Sequence, residues 1–349
     1  MRKLIRYLHL QDIGLLELIF ALAPMLGGFG LMGMPLSTLM WMILILEVAF
    51  RKRRKVAIYS PLLFFAIYWF LKKSLFLLGG TENIYGFLTQ IIYFVSVFFL
   101  YPNINIDKLK GSLNWVVLLT IAGLLYQWGT ISGGGYVHAL EIPGLTMSEE
   151  RLEAQSIRPS SFFMEPAACV SFLMCPLALS LLDKKYIWSA VIILSIFLTT
   201  STTGIVVSFL MVALTLFTKN KISLASLIIT GLLIGGGYYV LLHTEAFEYG
   251  VEKLENTELD TNTRLVQGPS IVKTMHTGEY IFGVNFSSPY QYCKSGRAAD
   301  VRYYGESVYM STFWYMILIY GIVGLLLYLN IYWKIFKQSR ETIPLLVSL

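Results

Sequence analysis

Charge is what this sequence has least of. Only 14% of its 349 residues are Asp, Glu, Lys or Arg, against about 25% in an ordinary soluble domain. A chain with so few charges has too little polar surface to keep a folded domain of this size in water. Cysteine is scarce too. Cys169, Cys175 and Cys293 are the whole complement, an odd number, with two of them six residues apart in an apolar stretch, which fits packed, reduced thiols and excludes a disulfide framework. No Cys-x-x-Cys or Cys/His spacing occurs, so no metal site and no cofactor are expected. Internal repeats and low-complexity linkers are also missing, and the apolar content excludes a disordered tail or a collagen-like fibre.

Apolar residues make up 56% of the chain, aromatics 15%, and the mean hydropathy is +0.64. These values point to an all-α, polytopic integral membrane protein, one membrane domain over residues 1–349. Hydrophobic runs fall at 13–29, 34–50, 56–78, 84–101, 113–131, 161–182, 186–200, 203–218, 222–242 and 309–333. At about 20 residues per span they predict ten membrane helices. An eleventh run starts at Thr342 and reaches Leu349, and is expected to open a further helix that is cut short. The first run follows Arg2, Lys3 and Arg6 and contains Ala21-Leu22-Ala23, as a signal peptide would, but Pro24 makes a poor cleavage context. It reads as an uncleaved first helix.

Basic residues orient the spans. With the N-terminus in the cytoplasm, one face receives Arg2/Lys3/Arg6, the run Arg51–Lys55, Lys108/Lys110, Lys184/Lys185, Lys219/Lys221 and Lys334/Lys337/Arg340, which is 17 of the 27 Lys and Arg. Excess positive charge in short loops marks the cytoplasmic side. The net charge of +6 is therefore a membrane signal and predicts no nucleic-acid partner. Lys72 and Lys73 are exceptions to the bias, near the outer end of the third span. Two long segments, 132–160 and 243–308, then lie outside. Loops of this length exceed what helix connection needs and are the expected carriers of function. In the second, Phe247, Val251 and Leu254 recur at helical spacing, suggesting a short helix on the membrane surface. Asp260 is placed to cap a second helix from about Thr261, with Arg264 in its first turn and Gly268-Pro269 ending it.

The bilayer midplane is almost free of acids and bases, which weighs against a proton-coupled transporter. Glu17 and Glu47 sit near cytoplasmic span ends, where pairing with the 51–55 basic run is the simplest reading. The outer side carries the polar load. In Arg158-Pro159-Ser160-Ser161-Phe162-Phe163-Met164-Glu165-Pro166 two prolines restrict the backbone and hold an arginine and a glutamate at the rim of the bundle. A guanidinium suits a pyrophosphate, although it also suits lipid phosphates. The turn Thr199-Thr200-Ser201-Thr202-Thr203-Gly204 can bond a sugar or phosphate, or merely its own backbone. Gly305-Glu306-Ser307 leads into the last full span, where Gly321 and Gly324 allow close helix packing.

In this order, the Arg158–Pro166 stretch, the Ser201–Gly204 turn, the arginine-bearing second loop, Gly283-Val284-Asn285 and the Tyr320–Gly324 segment resemble the Wzy-type bacterial polysaccharide polymerases, a family grouped with the O-antigen ligases. The resemblance implies a GT-C-like membrane glycosyltransferase. It would join undecaprenyl-pyrophosphate-linked repeat units, donor and acceptor alike, into O-antigen or capsular polysaccharide at the outer face of the bacterial cytoplasmic membrane. A flippase and a chain-length regulator are the implied partners. Such enzymes need one arginine in each outer loop, and Arg158 and Arg264 occupy the matching positions. The glycine spacing after Arg264 departs from that of several relatives, with Gly268 and Gly278 nearest, so Arg297 and Arg302 stand beside it as alternatives and as substrate-binding groups. Ser160, Ser161, Ser201, Thr202 and Thr203 are the other substrate-binding candidates.

The implied chemistry sets the remaining roles. Fixed cations stabilise the pyrophosphate as it leaves, without a metal. A carboxylate accepts the proton of the attacking hydroxyl, for which Glu165 and Glu306 are the candidates. A single displacement inverts the anomeric carbon, and activity is expected to survive chelation. Two alternatives stay open: an O-antigen ligase, which would typically carry a histidine where this chain has Glu306, and a flippase or exporter of lipid-linked sugars.

Overall fold

A computed structural model describes residues 7–31, 34–50, 58–133, 137, 140–147, 158–219, 263–298, 308 and 310–338. In chain order the elements are α1 (Leu15–Leu22), β1 (Phe29–Leu31), β2 (Met34–Pro35), α2 (Leu36–Phe50), α3 (Ser60–Leu78), α4 (Ile84–Leu100), α5 (Ile106–Ser132), β3 (Thr146–Met147), α6 (Pro166–Leu182), α7 (Tyr186–Leu198), α8 (Thr202–Lys219), α9 (Thr263–Val272), α10 (Thr277–Phe282), α11 (Pro289–Tyr292) and α12 (Thr312–Gln338). The protein is mostly helical. Among the described residues three helices are long and apolar enough to cross a membrane, over Ser60–Leu78, Ile106–Ser132 and Thr312–Ile335, and five more are apolar but shorter. The run 222–242, the helix expected around Phe247, the cap at Asp260, the basic run 51–55 and the segment 342–349 lie outside the described residues.

One expectation is corrected at the N-terminal side. The run 13–29 is not one helix: α1 ends at Leu22, and residues 23–28 turn before a strand begins at Phe29. Pro24 lacks the amide hydrogen a continuing helix would use, and glycines at 27 and 28 favour a turn over a helix. The mostly helical fold also carries one minor β element. A small antiparallel sheet of order β2-β1-β3 pairs Gly30 with Pro35 on one side and with Thr146 on the other, so part of the segment 132–160 is a strand. Thr146 reinforces it by donating its hydroxyl to the Gly30 carbonyl at 3.0 Å.

The chain forms two compact units. The larger comprises residues 1–56, 99–251 and 339–349. Its described core is built on α5, α6, α7 and α8, with Val116, Leu173, Leu177, Ile192, Ile196 and Met211 all fully enclosed. Truncating one such leucine to alanine costs about 2–5 kcal/mol in a packed core. The chain enters α5 through Asn105, whose side chain accepts from the N–H groups of Asp107 and Lys108 at 3.0 and 3.2 Å. Glu17, 4% exposed, accepts from the Asn105 N–H at 2.8 Å. The contact that places it is thus a helix start. Cys169 and Cys175 in α6 are free, as is Cys293.

The smaller unit comprises residues 57–98 and 252–338. Phe65, Trp69 and Phe76 of α3 pack with Ile271, Val284, Tyr292, Leu318 and Ile319. Helix α9 continues past Gly268-Pro269, expected to end it, to Val272. The glycine serves packing, since a Cβ there would lie 2.5 Å from the Trp314 indole. Gly321, expected to let helices pack, does something else: at φ 67°, ψ −176° it breaks α12. Gly283, at φ 80°, crosses this break so closely that a Cβ at either glycine would lie within 2.3 Å of the other segment's carbonyl oxygen. Only glycine allows both the conformation and the approach.

Candidate functional site

In the larger unit the two polar segments singled out by sequence come to one end of α5. Gln127, fully buried near the end of that helix, accepts through Oε1 from the N–H groups of Ser160 and Ser161, at 3.1 and 2.8 Å. The next residue, Trp128, donates its indole N–H to the Leu198 carbonyl at 2.7 Å, just before the Thr199–Gly204 turn. One helical turn back, Gly123 makes room for the Ser161 side chain, whose Oγ lies 2.2 Å from where a Cβ would be. Adjacent residues of a single helix therefore anchor both segments.

Each segment carries a residue in the left-handed region, Ser161 at φ 55° and Thr200 at φ 53°. Such a conformation is unfavourable for any side chain and most so for a β-branched one. It persists where the surroundings over-determine it, as they do at binding and catalytic sites. Thr200 is 6% exposed and its hydroxyl has no partner among the described residues. Its neighbours are internally satisfied. Thr199 donates to the Ile196 carbonyl at 2.7 Å, and the Ser201 hydroxyl accepts from the Gly204 N–H at 3.4 Å, at the start of α8. Thr203 is exposed, and Thr202 is the first residue of α8.

Along the other segment, Ser160 and Ser161 are fully enclosed, and the Ser160 hydroxyl donates to the Phe163 carbonyl at 3.2 Å. Phe163 is buried against Phe172, with ring centroids 5.1 Å apart. Between these anchored residues and the start of α6, Arg158 is half-buried and Glu165 exposed, and the side chain of neither makes a hydrogen bond or ion pair among the described residues. Glu165 is the N-cap residue of α6, where the helix dipole favours its negative charge.

Arg264 belongs to the smaller unit, as the second residue of α9. Arg302 and Glu306 lie outside the described residues. Arg297 is engaged locally: its guanidinium bonds the Glu279 carboxylate, which holds its ionisation above the ordinary value, and stands 5.9 Å over the Tyr292 ring. The other oxygen of Glu279 accepts from the His276 N–H at 2.9 Å, fixing the start of α10.

Sequence reasoning passed over the polar groups that organise this unit. Lys72, 8% exposed near the end of α3, donates to the carbonyls of Gly283 and Val284 at 3.3 and 3.0 Å and lies 5.0 Å over the Phe76 ring. Tyr68, one turn earlier, donates to the Tyr320 carbonyl freed at the helix break at 2.7 Å, with the Phe282 carbonyl also near its hydroxyl at 3.0 Å. Lys73 pairs with Glu82 at 2.5 Å with both side chains largely buried. Their signal was in the sequence as the two lysines that disobeyed the charge bias. Gln127 had one as well, an amide within an apolar run.

No family model matches the chain, no curated protein matches it in sequence, and no solved structure matches its fold.

Proposed function

We propose that the protein is a membrane glycosyltransferase of the polysaccharide-polymerase type, with a GT-C-like architecture of ten to eleven spans. It transfers a growing glycan from undecaprenyl pyrophosphate to the non-reducing end of a second lipid-linked repeat unit. The site faces outward from the bacterial cytoplasmic membrane, with the N-terminus in the cytoplasm. The observation that carries the reading is a half-buried arginine, without a partner among the described residues, on a segment that Gln127 anchors beside a hydroxyl-rich turn. A guanidinium so placed has its donors available for an oxyanion, and the anchoring keeps it from having to be ordered during the reaction.

In the proposed step the acceptor hydroxyl attacks the anomeric carbon. Its proton passes to a carboxylate, Glu165 or Glu306, and the bond from that carbon to the pyrophosphate breaks. The electron pair leaves with the diphosphate, whose growing charge Arg158 stabilises. Thr203 contacts sugar or phosphate, while Ser160, Ser161 and Ser201 shape their segments from inside; Arg297, bound to Glu279, orders its loop.

The test is complementation of a host strain lacking its own repeat-unit polymerase. Arg158→Ala is expected to reduce the surface polysaccharide from a ladder to a single repeat unit, a fall in chain growth of about a hundredfold or more. Folded protein should stay at the wild-type level, and Arg158→Lys should restore little because it loses the bidentate geometry. Normal ladders with Arg158→Ala, or carrier-linked chains that never reach their acceptor, would overturn the polymerase reading.

A further inference from the structure

Within the smaller unit, α3 and α12 serve as a depth scale. They run antiparallel against each other: Tyr59 donates to the Ile331 carbonyl near one end, and Tyr68 to the Tyr320 carbonyl farther along, at 3.3 and 2.7 Å. Both are long and apolar enough to cross a membrane. The 19 residues of α3 extend about 29 Å, close to the hydrocarbon thickness of a bilayer.

Residues 282–287 climb along α3 in step with it. The Phe282 carbonyl lies beside the Tyr68 hydroxyl, and those of Gly283 and Val284 accept from Lys72. A Cβ on Gly79 would stand 3.8 Å from the Asn285 amide nitrogen, and the Thr81 carbonyl, just past the helix, accepts from Ser287 and Gln291. On the other side the Val284 N–H donates to the Leu318 carbonyl at 2.8 Å. The chain arrives at this turn through α10, whose entry is fastened at the upper level: Thr274 lies 3.0 Å from the Tyr292 hydroxyl, and Glu279 bonds Arg297. The segment therefore goes in and comes back. Its tip, Phe282-Gly283, is level with Tyr68 and Lys72, about 10–15 Å below the Leu78 end of α3.

Exposure changes along this path. Around the start of α10 the exposed residues are Lys273, His276, Thr277 and Gly278, whereas at the tip they are Ile281 and Phe282, 42% and 58% exposed. At the same level α3 exposes Ile67, Phe70 and Leu71. Polar side chains thus give way to apolar ones where the chain reaches hydrocarbon depth. Irregular backbone is tolerated at that depth where protein meets its polar groups, and an ammonium at that depth where it bonds carbonyls. Lys72 does both at once. We propose that residues 277–287 form a re-entrant membrane segment whose tip, Ile281 and Phe282, contacts lipid acyl chains, with Lys72 as the cation that satisfies its turn. Part of the segment 243–308, expected outside, then lies within the bilayer. The inference rests on the membrane placement of α3 and α12 and is independent of the transfer reaction.

Spin labels on single cysteines test it, in the full chain with Cys169, Cys175 and Cys293 replaced by alanine and reconstituted in nanodiscs. The sites are Phe282→Cys at the tip, Gly278→Cys early in α10, where nothing lies within 4 Å of an added Cβ, and the exposed Leu71→Cys on α3 as the depth reference. Oxygen concentrates in hydrocarbon, while a polar nickel chelate stays in water. The ratio of oxygen to chelate access should be several-fold higher at 282 than at 278 and equal to that at 71. A ratio at 282 matching that at 278, while 71 still favours oxygen, would put the segment in water and overturn the proposal. Poor access of both reagents at 282 would overturn it too, because protein would then cover the tip. Chelate access at 71 would take α3 out of the membrane, and the proposal with it.

Discussion

The two units hold their polar segments by different means. In the larger one a neutral amide and an indole, Gln127 and Trp128, bind backbone groups of the two segments from α5, a helix without internal glycine breaks or proline. In the smaller one α12 is broken at Gly321, where a phenol, Tyr68, takes the Tyr320 carbonyl, and a buried ammonium, Lys72, takes the carbonyls of Gly283 and Val284 on the segment that crosses the break. An intact helix leaves few unmet groups, so an amide is enough to fasten a loop to it. A broken helix and the irregular segment that crosses it leave several carbonyls at once in an apolar setting, and each would cost several kcal/mol unbonded. A cation with three donors beside those carbonyls offsets that cost, and the carbonyls in turn make its own burial tolerable.

The largest test strikes the break itself. Gly321→Ala places a Cβ 2.3 Å from the Ile281 carbonyl oxygen at a φ of 67°. It should cost at least about 3 kcal/mol and sharply reduce folded protein on size exclusion. Gly296→Ala, with φ 84° but nothing within 4 Å of the added Cβ, isolates the conformational part and should cost only about 1–2 kcal/mol.

Next comes Lys72→Met, which removes two charge-assisted bonds while keeping the length of the side chain, an expected loss of about 3 kcal/mol. Its local readout is Cys293, which is 4% exposed and whose burial raises its thiol above the ordinary pKa. Because the thiolate is the reactive form, maleimide labelling at pH 8 is slow while the segment stays packed and should accelerate when Lys72 is lost. Labelling of Cys169 and Cys175, in the other unit, should not change. The same raised pKa means that the folded state holds this proton more tightly than the unfolded chain. Stability therefore falls as pH rises above the unfolded thiol's pKa.

Gln127→Leu should cost less, about 1–3 kcal/mol, for two buried N–H groups left without an acceptor. Hydrogen exchange at the Ser160 and Ser161 amides should quicken while exchange within α6 stays the same. Smallest is Arg297→Gln, which removes an exposed ion pair and should shift stability by less than about 1 kcal/mol. If Lys72→Met proved milder than Gln127→Leu, the contrast between charged and neutral fastening would be wrong.

Much of the helical layout was legible in the sequence because apolar runs of adequate length have few other ways to satisfy their backbone. The runs at 34–50, 56–78, 84–101, 161–182 and 186–200 each carry a helix close to those limits. Legibility failed where a local signal had two uses. Gly268-Pro269 read as a stop, yet Gly268 is there for Trp314 and the helix continues; Gly321 read as packing, yet it supplies a bend. The strand pairing of Gly30 with Thr146 joins residues more than a hundred positions apart, and no local pattern announces it. At the candidate site the flanking prolines marked the Arg158 segment, whereas Gln127, which holds it, has no neighbour in sequence to betray its partner.

The apolar runs alone determine a mostly helical protein with helices long and apolar enough to cross a membrane, because composition and periodicity depend only on neighbouring residues and the solvent they prefer. Which backbone groups Gln127 and Lys72 satisfy, where α12 breaks, and that two distant polar segments share one end of α5 were decided by tertiary packing. Those outcomes depend on which carbonyls and N–H groups remain without partners once the helices have assembled, and that balance exists only in the folded chain.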